Sequence, residues 1–158
     1  MSKITPFLWF NDQLEEAMDF YTGLFPDGRI LKIVRHGKNG MGPEGSAFTA
    51  EFELAGQRFS GINGGPHFNF NEAVSFVIDC ADQAEVDRYW EALTGNGGAE
   101  SQCGWCKDRF GVSWQVVPRQ LHATINGPDA EGAARATQAM LKMRKIDVAS
   151  LERAYAGV

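Results

Sequence analysis

Histidine and cysteine are scarce in this chain. Its 158 residues include only three histidines and three cysteines. His36, His67 and His122 lie far apart in sequence, and an odd number of cysteines is not the framework of a small secreted domain. Cations are also few. Lysine and arginine number 15 against 20 acidic residues, a net charge of −5 with no basic run, which argues against nucleic acid as a partner, since phosphate binding needs clustered cations. No apolar run approaches a membrane span, and MSKITPF lacks the apolar core of a signal peptide. The expectation is a cytoplasmic protein without membrane contact. Apolar residues make up 44% of the chain, enough to build a core in one domain or in two small modules.

In chain order, Lys3–Phe10 predicts a strand, with Thr5, Phe7 and Trp9 on one face and Ile4, Leu8 and Phe10 on the other. Apolar residues on both sides predict cover on both faces. Asp12, followed by Glu15 at capping-box spacing, predicts the start of a helix whose stripe is Leu14, Ala17, Met18, Tyr21 and Leu24. Arg29–Gly37 reads as a strand, then a glycine-rich loop. Phe48, Ala50, Phe52 and Leu54 alternate with polar residues, the period of a half-buried strand. Ala55-Gly56-Gln57 reads as a hairpin turn into Arg58–Asn63.

The pattern then restarts. Ala73–Asp79 reads as a strand, Asp82 with Glu85 repeats the cap, and Val86, Tyr89, Trp90 and Leu93 form a second helical stripe. The pairs Phe20-Tyr21 and Tyr89-Trp90 occupy equivalent helix positions, as do Leu24 and Leu93. Short strands follow at Ala99–Cys103, Gly104–Lys107 and Val112–Pro118, with a turn at Asp108–Gly111. Such a repeat fixes architecture where local propensity cannot. The chain is therefore α+β, with two βαβββ modules (1–63 and 73–118) joined by a linker (64–72). A tail (119–158) follows, with a loop through Gly127-Pro128, a helix from an Asp129 cap through Arg144, and a short helix at Val148–Ala156.

Two tandem βαβββ units resemble the vicinal oxygen chelate superfamily, which includes glyoxalase I, extradiol dioxygenases and bleomycin-resistance proteins. The strings ITPFLWFNDQLEEAMDFY, FELAGQRFSGINGGPHFNFNEAVSFVIDC and CGWCKDRFGVSWQVVP resemble its PhnB-like branch, often labelled 3-demethylubiquinone-9 3-methyltransferase. The tail motif AMLKMRKIDVASLERAYAG is similar to that branch as well. The resemblance implies a half-barrel in each module and a homodimer. In the superfamily's enzymes a divalent metal sits on His, Gln and Glu from four strands. Those places fall here at Thr5, between Phe59 and Asn63, near Ala73, and at Gln115. Such a donor set is poor for a divalent ion, so no metal and no cofactor is expected.

Strand parity nominates a ligand cavity of Thr5, Phe7, Trp9, Ser75, Trp105, Ser113 and Gln115, with Asn63 and His67 beside it. An apolar hollow with a few amides and hydroxyls suits a small organic molecule, although aromatic residues in strands also fill cores. Val117 shares the parity of Gln115. His67 has the pKa range of a general base but no identifiable partner; a linker residue beside Phe68 and Phe70 is the plainer reading. Cys103-Gly104-Trp105-Cys106 is a C-x-x-C without the following helix that lowers a redox cysteine's pKa; small residues packed beside Trp105 is the plainer reading. Three function classes fit: a small-molecule binding module, a metal-free enzyme using Gln115, Asn63 or His67 with Asp108 nearby, and the methyl transfer of the label. A metal-dependent glyoxalase- or dioxygenase-type enzyme is the further alternative. The label's cofactor would call for a glycine-rich turn between a strand and a helix; Gly37–Gly45 and Gly61–Gly65 are not expected to precede helices.

Overall fold

The computed structural model describes residues 2–158. The chain forms two compact units, one ending at Phe70 and the other comprising Asn71–Val158. Each contains one mixed four-stranded sheet.

In the first unit, β1 (Phe7–Phe10), α1 (Leu14–Leu24), β2 (Arg29–Arg35), β3 (Ala47–Leu54) and β4 (Gln57–Asn63) give the sheet order β1-β4-β3-β2. β1 and β4 run parallel and the other pairs antiparallel. Helix α1 buries Leu14, Ala17, Met18 and Tyr21. From the sheet, Leu8 and Phe10, Ala50, Phe52 and Leu54, and Phe59 complete this core. Each fully buried large side chain contributes about 1.5–3 kcal/mol of transfer free energy. Alternation carries the complementary residues to the opposite face. There Phe7 is 59% exposed and Trp9 half-buried, so β1 is fully covered on one side only, contrary to the two-sided cover expected from its composition. The β3–β4 turn is made by Ala55 and Gly56, at φ 49° and 82°. Two successive positive φ angles define the tight hairpin turn whose twist matches the strands.

The sequence places the start of α1 correctly but not its cap. Gln13 occupies the cap position and makes no side-chain cap bond. The Leu14 N–H instead donates to Asn63 Oδ1 at 2.9 Å. The segment expected to be a linker folds back on β1. The Trp9 indole N–H donates to the Gly65 carbonyl at 3.0 Å, Phe68 meets the Trp9 ring edge-on, and Phe70 does the same to Phe10. A Cβ on Gly64 would lie 2.2 Å from Trp9 Cζ2, so only glycine lets the indole lie there.

The second unit repeats the plan. β5 (Ser75–Cys80), α2 (Gln83–Thr94), β6 (Ala99–Glu100), β7 (Trp105–Lys107) and β8 (Ser113–Pro118) give the order β5-β8-β7-β6. Here the capping expectation holds. Asp82 Oδ1 accepts from Glu85 N–H at 3.0 Å, and Glu85 Oε2 accepts from Ala81 N–H at 3.2 Å. Val86, Tyr89, Trp90 and Leu93 are buried along α2.

Helices α3 (Arg119–Ile125), α4 (Ala130–Met140) and α5 (Val148–Ala156) complete the unit. α3 lies where a loop was expected, and α4 ends at Met140, short of Arg144. Asp129 makes no cap bond, whereas Asp147 Oδ1 accepts from Ser150 N–H. The tail has its own core of Leu121, Ala136, Ile146 and Leu151 around Val117 of β8. The Gln83 amide ties it to α2, donating to Ile146 O at 3.0 Å and accepting from Val148 N–H at 2.7 Å. No helix among the described residues is long and apolar enough to cross a membrane.

Candidate functional site

On the face of the first sheet away from α1, strand pairing sets up two rows of facing residues. Phe7, Ser60, Glu51 and Lys32 form one, and Trp9, Ile62, Thr49 and Val34 the other. Phe7 and Trp9 therefore do share a face, but the Trp9 indole is held by Gly65 and Phe68. Thr5 is exposed and precedes the strand; His67 is exposed in the segment after β4. Asn63 is a correction. It pairs with Phe10, whose side chain lies on the α1 side, and its amide is used at both ends: Oδ1 on Leu14 N–H and Nδ2 on the Ala47 carbonyl at 3.1 Å. Asn63 positions the helix.

The second sheet brings the remaining candidates together. Ala99, Lys107, Ser113 and Ser75 face one another across its strands, as do Trp105, Gln115 and Val77 in the next row. Gln115 Nε2 donates to Ser75 Oγ at 2.9 Å. Ser113 is buried, its hydroxyl 3.5 Å from the Asn71 carbonyl. Val117, of the same parity, is instead packed under the tail helices, so the open part of this face stops at Gln115. A pocket of about 220 Å³ opens beside these rows, with Trp105, Ser113, Lys107, Glu72, Ala99 and Ser101 in its lining. Lys107 and Glu72 form an ion pair there. The ammonium, by hydrogen bond and then by charge, holds the Glu72 carboxyl below its ordinary value of 4.5.

Sequence reasoning missed Lys107 and Glu72. Lys107 has the same strand parity as Trp105 and was legible from it; Glu72 lay in the presumed linker and carried no signal.

The neighbouring polar groups are structural. Asp108 is 3% exposed, and its carboxylate accepts from the N–H groups of Phe110 and Val112 and from Trp114 Nε1 at 2.9–3.1 Å. It closes the β7–β8 turn, so it is no general base for the face opposite. Cys106 is buried with its thiol pushed up to about 12 by desolvation, then by the charges of Asp108 and Glu100. Cys103 is half-buried at φ 57°, in a turn rather than at a helix N-terminus. All three cysteines are free.

The metal positions implied by the resemblance do not fit a metal. Thr5 lies outside the strand, the Asn63 amide is committed, Ala73 has no donor atom, and the Gln115 amide bonds Ser75. Among the described residues no three His, Cys, Asp or Glu side chains converge as a metal site. The glycine-rich stretches give no helix-terminal cofactor loop either: residues 36–46 connect β2 to β3, and Gly61–Gly65 end β4 and lead towards β5.

The sequence profile of the 3-demethylubiquinone-9 3-methyltransferase family matches residues 2–117. The chain belongs to this family. A solved Bacillus cereus structure, described as a putative 3-demethylubiquinone-9 3-methyltransferase, PhnB protein, is 37% identical. The alignment covers 74% of this chain and 99% of that one, with a TM-score of 0.67. A Pseudomonas aeruginosa protein is similar at 22% identity, 75% and 98% coverage and a TM-score of 0.61. The fosfomycin resistance protein FosX of Mesorhizobium loti shares the fold at 15% identity, 73% and 91% coverage and a TM-score of 0.54. No curated protein matches the chain. The fold is that of the vicinal oxygen chelate superfamily, and this PhnB-like chain carries three tail helices beyond the matched residues.

Proposed function

We propose that this PhnB-like chain binds a small organic molecule without a metal, on the open face of its second sheet. The observation that carries the reading is the Gln115–Ser75 hydrogen bond. At the place where the superfamily's enzymes carry a metal-ligating carboxylate, this chain has a neutral amide bonded to a hydroxyl. Trp105 supplies an aromatic wall, and Ser113 and Lys107 supply polar groups, the mixture that small-molecule sites use. In the family label, methyl transfer is a name without a matching cofactor loop. Calorimetric titration with phenol- and quinone-type compounds tests the binding reading. Saturable binding that Trp105→Ala and Gln115→Ala weaken at least fivefold supports it; a stoichiometric methyl-donor cofactor, found by mass spectrometry of the purified protein, overturns it.

The protein acts in the cytoplasm as a homodimer in this reading. Exposed apolar residues on the first unit support self-association, with Phe7 at 59%, Val34 at 40% and Ile30 at 38% exposure. Light scattering at micromolar concentration tests it, and a monomer would count against it.

A further inference from the structure

Four tryptophans occur in the chain, and three have their indole N–H bonded: Trp9 to the Gly65 carbonyl, Trp90 to Glu100 Oε1 and Trp114 to Asp108 Oδ2. The Trp105 N–H has no partner among the described residues, and Trp105 is the tryptophan that lines the 220 Å³ pocket of the second unit. Indole N–H groups usually find a partner when covered, so this wall of the pocket has a donor available to a ligand. Lys107 lies two residues along the same strand face, about 6.6 Å away, and is the pocket's one cation. Ser113 adds a buried hydroxyl opposite Lys107.

Two carboxylates also border the pocket, and they differ. Glu100 is tied down, accepting from Trp90 Nε1 at 2.8 Å and lying 3.6 Å from the Arg144 guanidinium. Glu72 touches only Lys107, stands on the turn before β5 and leaves its side chain 63% exposed. An ion pair this exposed contributes little to stability, so turning Glu72 into water costs little. Lys107, fixed on a strand, stays behind.

We infer that the pocket takes a small aromatic carboxylate, and that Glu72 is the chain's own stand-in for the ligand's carboxylate on Lys107. The ring lies against Trp105 and the carboxylate replaces Glu72 on the ammonium, with the indole N–H as a further donor. The pocket volume is below the roughly 300–1,000 Å³ of drug-sized sites, which limits the ligand to about one ring. This inference rests on the ligand-binding reading above and adds the charge of the ligand and the means by which it competes with the protein.

The probe is benzoate, compared with uncharged benzamide and cationic benzylamine and followed by the Trp105 indole N–H resonance in NMR titrations at low salt. Trp105→Phe assigns the resonance. Benzoate is expected to bind the parent, to bind Glu72→Gln at least fivefold more tightly, and to bind Lys107→Met at least fivefold more weakly, while benzamide is indifferent to both substitutions. Equal benzoate affinity in all three proteins, or a preference for benzylamine, overturns the inference but leaves the binding reading standing if benzamide still binds. Failure of all three probes to shift the resonance overturns the inference and counts against a ligand site on this face. The substitutions are at exposed or half-buried positions, and unchanged amide spectra elsewhere show that the variants fold.

Discussion

Asn63 caps a helix from across 49 residues of sequence, its Oδ1 accepting the Leu14 N–H at 2.9 Å while its Nδ2 holds the Ala47 carbonyl of β3. One amide thus joins α1, β3 and β4. Asn63→Ala removes a helix cap, which costs about 0.5–2 kcal/mol, and a second hydrogen bond, about 1 kcal/mol more. Asn63→Asp keeps the cap acceptor and loses the donor. Chemical denaturation is expected to rank parent, Asp and Ala in that order, with little effect of Asn63→Asp on ligand affinity.

Asp108 gathers three N–H donors while almost wholly buried. Asp108→Asn sets its NH2 against either the two amides at Oδ1 or the Trp114 indole at Oδ2, an expected loss of about 1–3 kcal/mol. Asp108→Ala leaves all three donors without it and costs more. Denaturation followed by tryptophan fluorescence measures both. A parent-like stability for Asp108→Ala would contradict the structural role.

The thiols divide into two classes. Cys80 and Cys106 are buried, and desolvation pushes each up to about 12. At pH 8 both are almost wholly protonated. Titration of the folded protein with a chromogenic disulfide is expected to find Cys103 reacting first and the other two only on unfolding. Rapid joint reaction of Cys103 and Cys106 would revive a redox role for the C-x-x-C.

Three exposed ion pairs give the acid response a sign. Hydrogen bonds from Arg35, Lys107 and Lys145 hold Glu15, Glu72 and Asp87 respectively below their ordinary carboxyl values. Their small stabilisation is complete above the ordinary values, 4.5 for Glu and 3.8 for Asp, and is lost as pH falls through the lower folded values. A Glu15→Gln, Glu72→Gln, Asp87→Asn triple variant is expected to unfold at lower temperature than the parent at pH 7, with the gap narrowing as pH falls below the ordinary carboxyl values. The buried thiols act in the other direction. Because the unfolded chain releases their protons from pH 9 upward, stability falls as pH rises beyond that point.

Most of the fold was legible because its signals are local or repeated. The alternation of Phe48 to Leu54, the Asp82–Glu85 cap and the span of α5 each follow from neighbours in sequence. What was illegible depends on distant partners. Asp12 has the right spacing for a cap, but Asn63 supplies the acceptor. α3 is short and starts directly after Pro118 with no side-chain cap, so nothing local announces it. The site divides likewise: parity grouped Ser75, Trp105, Ser113 and Gln115, whereas the positions of Asn63 and Trp9 depend on which face meets the helix and on a loop folding back.

The central claim is that the face carrying Gln115 and Ser75 binds organic ligands without a metal. The direct measurement is elemental analysis of freshly purified protein, followed by calorimetric addition of nickel, zinc, manganese and iron. No stoichiometric metal and no saturable binding heat are expected. One equivalent of tightly held metal per chain, lost on Gln115→Ala, would contradict it and make the chain a chelate enzyme.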